Sequence, residues 1–285
     1  MEKEFNSIGA TVMVVSDIKC KLYETKETVE VKKYSIGVIE NDDKDCIVKL
    51  DDGKIIIIDK NYLFVNLCDV MQKEVIYSIT NADKSIYKIH GIEIPEVTGK
   101  KLYPNMTLHN KKFVPLMYHT AEKLYKAEKE FLSQNLTIKI YDTYRPYEIT
   151  KYLYKILLDL TDKYFDYLNG EVNGHKYDQT DFLAAKTSTH NYGIALDMTL
   201  VDLNSNEELK MQTEMHDLSI YSVTDYNNEN ANMFAKIMSS HGFYPLESEW
   251  WHFQDDDSKI EYMNYYIDPI NEIKKYDWFI LNINI

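Results

Sequence analysis

The feature that most constrains this chain is a pair of blocks. Ser188-Thr189-His190-Asn191-Tyr192-Gly193-Ile194-Ala195-Leu196-Asp197 is followed further along by Glu249-Trp250-Trp251-His252. Any fold that uses both must bring two imidazoles and a carboxylate from distant positions into one pocket. His190, Asp197 and His252 can hold a zinc ion and leave a fourth coordination position to water. A structural zinc site would close all four positions with protein ligands. Asp197 lies in an otherwise apolar strand-like run, where a carboxylate is costly unless a cation or donors compensate it. The chain has eight histidines, and it is membership of these blocks that separates His190 and His252 from His90, His109, His119, His175 and His241.

The 285 residues suffice for one large domain or two smaller ones. A net charge of −14 argues against nucleic acid or an anionic membrane as partner. No apolar run reaches membrane-spanning length, and the first residues lack the basic and apolar regions of a secretory signal. The expected location is therefore the cytoplasm, with the cell envelope as the alternative if a leader was removed or export takes another route. Cys20, Cys46 and Cys68 form no Cys-x-x-Cys pair and, being odd in number, no disulfide framework; they read as small, partly buried thiols.

Hydrophobic patterning predicts short strands over residues 11–15, 46–50 and 54–58, with Asp51-Asp52-Gly53 as the turn between the last two. Residues 68–107 show little periodicity. Helices are expected over 119–134, over 147–168 after Pro146, and over 231–240, the last closed by His241-Gly242. Strands are expected over 136–141, 194–200 and 250–254. Helices on one side of a mainly antiparallel sheet make an α+β architecture. Because Glu249 and His252 differ by three, they would fall on opposite faces of an ideal strand, so a bend near Trp250-Trp251 is expected if both face one metal.

The two blocks, together with Asp142-Thr143-Tyr144-Arg145-Pro146 at the end of a strand, resemble the signatures of the zinc D-alanyl-D-alanine peptidases, the vancomycin-resistance-type dipeptidases and carboxypeptidases. The resemblance runs from about Ser85 to Pro269. It implies a Zn2+ cofactor on His190, Asp197 and His252, Glu249 as general base, and Arg145 as a clamp on the tetrahedral oxyanion. For Arg145 a surface ion pair with Asp142 stays open as the alternative, and for Glu249 a role in orienting a ligand histidine. Ser188 either orients His190, touches substrate, or caps a turn. The block Met211 to Ser219 matches a dipeptidase segment whose aspartate pairs with the substrate ammonium, but here that position is His216, with Asp217 beside it. Either Asp217 takes that part, or a free amine is not required; an added metal ligand at His216 is a third option. Residues 48–63 also resemble half of a bacterial SH3-like barrel, with Ile56 or Ile57 in place of an aromatic. A purely structural β-module is the equal alternative there.

The organisation expected is thus a small all-β SH3-like barrel at 1–67 and a peptidase domain at 68–285, with its catalytic core at about 107–270. The activity the resemblance implies is hydrolysis of D-Ala-D-Ala, free or at the end of a peptidoglycan stem peptide. Alternatives are an endolysin-type L-Ala-D-Glu peptidase and a catalytically silent zinc or cell-wall binding module.

Overall fold

The structure is a computed structural model that describes residues 5–224 and 227–258. The part of the expected catalytic core beyond residue 258 lies outside the described residues. Two sheets share one continuous apolar core.

The first is an antiparallel sheet of eight strands, in the order Pro115–Met117, Leu63–Asn66, Thr11–Val14, Ile36–Asp42, Cys46–Leu50, Ile55–Ile58, Ile18–Leu22, Thr28–Val31. The turn at residues 51–53 joins Cys46–Leu50 to Ile55–Ile58 as expected, with Gly53 at φ +89°, a conformation that favours glycine. The pairings do not show a closed barrel, since the end strands Pro115–Met117 and Thr28–Val31 each have one partner. One of those end strands comes from far beyond residue 67, so the sheet is completed by the polypeptide that leads into the second layer.

The second sheet is built around Ala195–Asp202. Leu136–Asp142 pairs antiparallel on one side and His252–Gln254 on the other; Tyr244–Pro245 lies outside His252–Gln254, and Ile76–Tyr77 runs parallel to Leu136–Asp142. Helix Tyr118–Ser133 starts directly after Met117 and links the two sheets. Its Phe131 meets Phe234 of helix Glu229–Ser240 edge to face at 5.5 Å, and Phe234 packs on Phe253 at 4.5 Å. Mixed sheet and helix, with antiparallel pairing dominant, agrees with the α+β expectation.

Two boundaries differ from expectation. The helix expected over 147–168 stops at Leu160, and a separate short helix covers Phe165–Leu168. Thr161 Oγ1 donates to the Leu157 carbonyl, a local bond that competes with continuation of the helix. The strand expected from Trp250 begins only at His252, because residues 249–251 turn and the His252 amide donates to the Glu249 carbonyl at 3.1 Å.

Glu128 is a buried acid on helix Tyr118–Ser133. Its carboxyl accepts from Thr137 Oγ1 at 2.7 Å and from the Ile138 amide at 3.2 Å, yet burial pushes its pKa up to about 8. The folded state therefore holds this proton more tightly than the unfolded chain. The contribution to stability is complete below pH 4.5 and is lost as pH rises towards 8, at a limiting slope of about 1.4 kcal/mol per pH unit. In Glu128→Gln that component should vanish. Urea denaturation of both proteins at pH 5, 6.5 and 8 measures it, and parallel stability curves would refute the assignment.

Candidate metal and catalytic centre

Three neighbouring strands set the row on which the site is built. Asp142 lies opposite Asp197, and Asp197 lies opposite His252. The register shifts between Ile140 and Asp142, so Tyr141 is an extra residue in its strand. A bulge of this kind re-aims the residues that follow, here the Asp142–Arg145 segment.

His190 arrives from a tight 3-10 turn, Thr189–Tyr192. Ser188 caps it: its Oγ accepts from the His190 amide at 3.4 Å, while Asn191 Oδ1 accepts from the Ser188 amide at 2.8 Å. Asn191 Nδ2 donates to the Arg145 carbonyl at 2.7 Å, and the Arg145 amide donates to the His190 carbonyl at 3.2 Å. The loops carrying His190 and Arg145 are thereby one unit. Gly193 ends the turn at φ +67°, and a Cβ there would stand 2.3 Å from Phe64 Cε1 of the eight-stranded sheet. Gly193→Ala combines a left-handed alanine with an overpacked aromatic contact, so a loss of about 2–4 kcal/mol is expected. Metal affinity should fall with it, because His190 rides on this turn. Urea denaturation and a metal titration of the variant check both, and wild-type values in both would refute the packing argument.

The three expected ligands converge. His190 Nε2 lies 3.1 Å from His252 Nδ1 and 3.3 Å from Asp197 Oδ1, and His252 Nδ1 lies 3.1 Å from Asp197 Oδ1. A tetrahedral ion with bonds of about 2.0 Å has ligand–ligand edges of about 3.3 Å, which these separations match. The outward ring nitrogens agree. His190 Nδ1 lies 2.6 Å from the Thr143 carbonyl, and His252 Nε2 lies 3.2 Å from Gln254 Oε1. Both partners only accept, so those nitrogens carry the protons and the inward nitrogens keep their lone pairs. Gln254 is held in this orientation because its Nε2 donates to Asp256. Two lone pairs and a carboxylate oxygen facing one another in a buried site are the donor set of a divalent cation.

The charges around this point are unequal. Burial alone would push Asp197 up, but the His190 ring, together with those of His216 and His252, holds it well below the usual carboxylate range. Burial lowers His252. Glu249 is buried, with Oε2 4.0 Å from His252 Nδ1. Burial, and then the charge of Asp197, push its pKa well above that of a free carboxylate, with Arg145 opposing.

Arg145 is buried rather than on the surface. Its Nε donates to Asp142 Oδ2 at 2.7 Å and its Nη2 to Asp197 Oδ2 at 3.4 Å, which leaves further N–H donors of its five-donor fork. Asp142 is itself held by Asn81 Nδ2 at 2.9 Å and by the Tyr103 hydroxyl at 3.1 Å. The pairing with Asp142 read from sequence is present, and it serves as an anchor: Arg145 still lines a cavity of about 230 Å³ with His190, Asp197, Glu249 and His252. Ser188, Phe182, Leu183 and Asp181 form a further wall.

His216 and Asp217 do not line this cavity. His216 is buried behind Asp197, and Asp217 borders a separate cavity beside His90 and Trp250, its Oδ2 accepting from the Gly91 amide at 2.8 Å. The two residues read from sequence as possible substrate contacts thus stand outside the cavity that holds the expected ligands. His216 also stands outside the group of His190, Asp197 and His252 whose ligand atoms cluster, and its Nε2 faces Asp197 Oδ2 instead. Sequence reasoning missed Gln254, whose position two residues after His252 on one strand places both side chains on one face, and Asn191, which lay unused inside the first block. The Thr143 carbonyl leaves no side-chain signal at all.

The pattern of a peptidase family described as D-ala-D-ala dipeptidase (peptidase M15) matches residues 94–275. The D-alanyl-D-alanine dipeptidase of Enterococcus faecium is 28% identical over 161 residues, which are 53% of this chain and 77% of that protein. Among solved structures, a mutant of the vancomycin resistance D,D-pentapeptidase VanY in complex with Zn(II) is 13% identical. The match covers 62% of this chain and 92% of that one, with a TM-score of 0.33. VanYB in complex with D-alanine-D-alanine gives the same identity and score over 63% and 92%.

Proposed function

The chain belongs to the D-ala-D-ala dipeptidase family of peptidases, and from that premise we propose that it hydrolyses the bond between two D-alanines with zinc as cofactor. The observation that carries this reading is the set of three ligand atoms 3.1–3.3 Å apart with the Glu249 carboxylate 4.0 Å away. Bound among His190, Asp197 and His252, zinc would supply a Lewis acid and a water acidified to a pKa of about 7. Glu249, which the charge of the bound cation would keep ionised against the effect of burial, would accept a proton from the attacking water and return it to the leaving amine. Arg145, fixed by Asp142, turns its remaining donors to the oxyanion or to the terminal carboxylate of the substrate. Phe182, Leu183 and Trp251 give the cavity apolar surface for the alanine methyls.

With His216 and Asp217 both outside the cavity, a stem peptide whose amine is acylated is favoured over the free dipeptide. Beyond Asp197 and Glu249, the acid lining the cavity is Asp181, which is exposed and whose Oδ2 accepts from the Asp178 amide at 2.7 Å. Incubating the zinc-loaded protein with D-Ala-D-Ala and with an N-acylated D-Ala-D-Ala peptide tests the reading. D-alanine should be released from the acylated peptide at least as fast as from the dipeptide. Release from neither would end the proposal.

A further inference from the structure

We propose that His216 is a positioning residue for the metal ligand Asp197: it holds the carboxylate so that one oxygen serves the metal and Arg145 stays free for substrate. The inference rests on the metal site described above and deepens it.

The two carboxylate oxygens of Asp197 face different surroundings. Oδ1 lies 3.1 Å from His252 Nδ1 and 3.3 Å from His190 Nε2, where the ion would sit. Oδ2 points away and lies 3.0 Å from His216 Nε2 and 3.4 Å from Arg145 Nη2. A carboxylate only accepts, so His216 Nε2 carries a proton and donates it. Nδ1 of the same ring has no partner among the described residues, so this one bond is the ring's polar contact. The ring cannot easily turn. Tyr87 stacks on it at 4.5 Å and 9° between planes, and Trp251 meets it edge to face at 5.8 Å. Its backbone stands at φ +57°, an uncommon conformation for a histidine, maintained where the Lys88 amide donates to the His216 carbonyl at 3.0 Å. A strained backbone, a stacked ring and a single directed donor all serve one oxygen of one ligand.

The consequence concerns Arg145 as well. Without His216, Arg145 would be the sole side chain on Oδ2 among the described residues, and its charge would be spent on Asp197. With His216 supplying the shorter bond, the guanidinium is fixed through Asp142 and keeps donors for the cavity. Groups that orient a metal ligand through its outer atom commonly change metal affinity or activity by about 10–100-fold when removed.

The test compares His216→Gln with His216→Asn. The glutamine amide reaches the place of Nε2 and can donate to Asp197; the asparagine amide falls short, yet asparagine accepts the left-handed backbone well. Zinc affinity is measured by competition with a chromophoric chelator, alongside the thermal stability of each metal-free protein. His216→Gln is expected to stay within about threefold of wild type, and His216→Asn to lose about 10–100-fold without a matching loss of metal-free stability. Wild-type affinity in His216→Asn, or equal losses in both variants that follow their stabilities, would overturn the proposal. Because the readout is metal affinity, a protein that binds zinc but cleaves neither peptide would refute the substrate assignment and leave this test standing.

Discussion

Glu249→Gln is expected to lower kcat by about 10²–10⁴-fold while leaving metal content unchanged. The side chain sits near the three ligand atoms without belonging to their cluster, its Oε2 at 4.0 Å from His252 Nδ1. Glutamine keeps the volume and one acceptor but can neither take up nor return a proton. The lost decades correspond to about 3–5 kcal/mol of transition-state stabilisation, at 1.36 kcal/mol per decade. KM should move little, because the carboxylate acts on water and the leaving amine rather than on the bound ground state. The alternative, in which Glu249 merely orients His252, forecasts a different pattern: zinc affinity would fall together with turnover. Elemental analysis and steady-state kinetics on one preparation separate the two. A variant that keeps its turnover would remove Glu249 from the chemistry.

The ligands were legible because their spacing encodes a geometry that the sheet then realises. An aspartate inside an apolar strand run and a histidine on the facing strand become direct cross-strand neighbours, Asp197 opposite His252. The offset of three between Glu249 and His252 demanded a bend, and residues 249–251 provide it as a turn. The helices at 118–133 and 229–240 could be read from apolar spacing and, for the second, from Gly242 at φ +81° after its end. What could not be read depends on long-range contacts. The end of the helix at Leu160 carries no Gly or Pro signal and turns on a threonine bond to its own backbone. The strand Pro115–Met117 is too short to stand out, and it exists because Leu63–Asn66 has an open edge for it. The contact between His216 and Asp197 has no signal in the sequence, because it forms only once the strands are laid side by side.

Stripping the metal is expected to cost the protein about 10 °C in Tm, with no comparable effect in His190→Ala. The reasoning starts from the electrostatics of the bare site, where a buried carboxylate and two inward lone pairs lie within 3.1–3.3 Å of one another. A cation that binds only the folded state stabilises it by about 4 kcal/mol when present at a thousand times its Kd. For a chain of this size each kcal/mol shifts Tm by about 2–4 °C, which gives the stated figure. Removing the His190 imidazole leaves two ligands and breaks the anchor to the Thr143 carbonyl, so the variant should bind the ion poorly and melt at nearly the same temperature with or without it. Calorimetry of both proteins, with zinc in excess and after exhaustive chelation, gives the four values needed. If the wild-type Tm does not respond to chelation, the convergence of His190, Asp197 and His252 is an internal hydrogen-bonded cluster, and the catalytic reading loses its foundation.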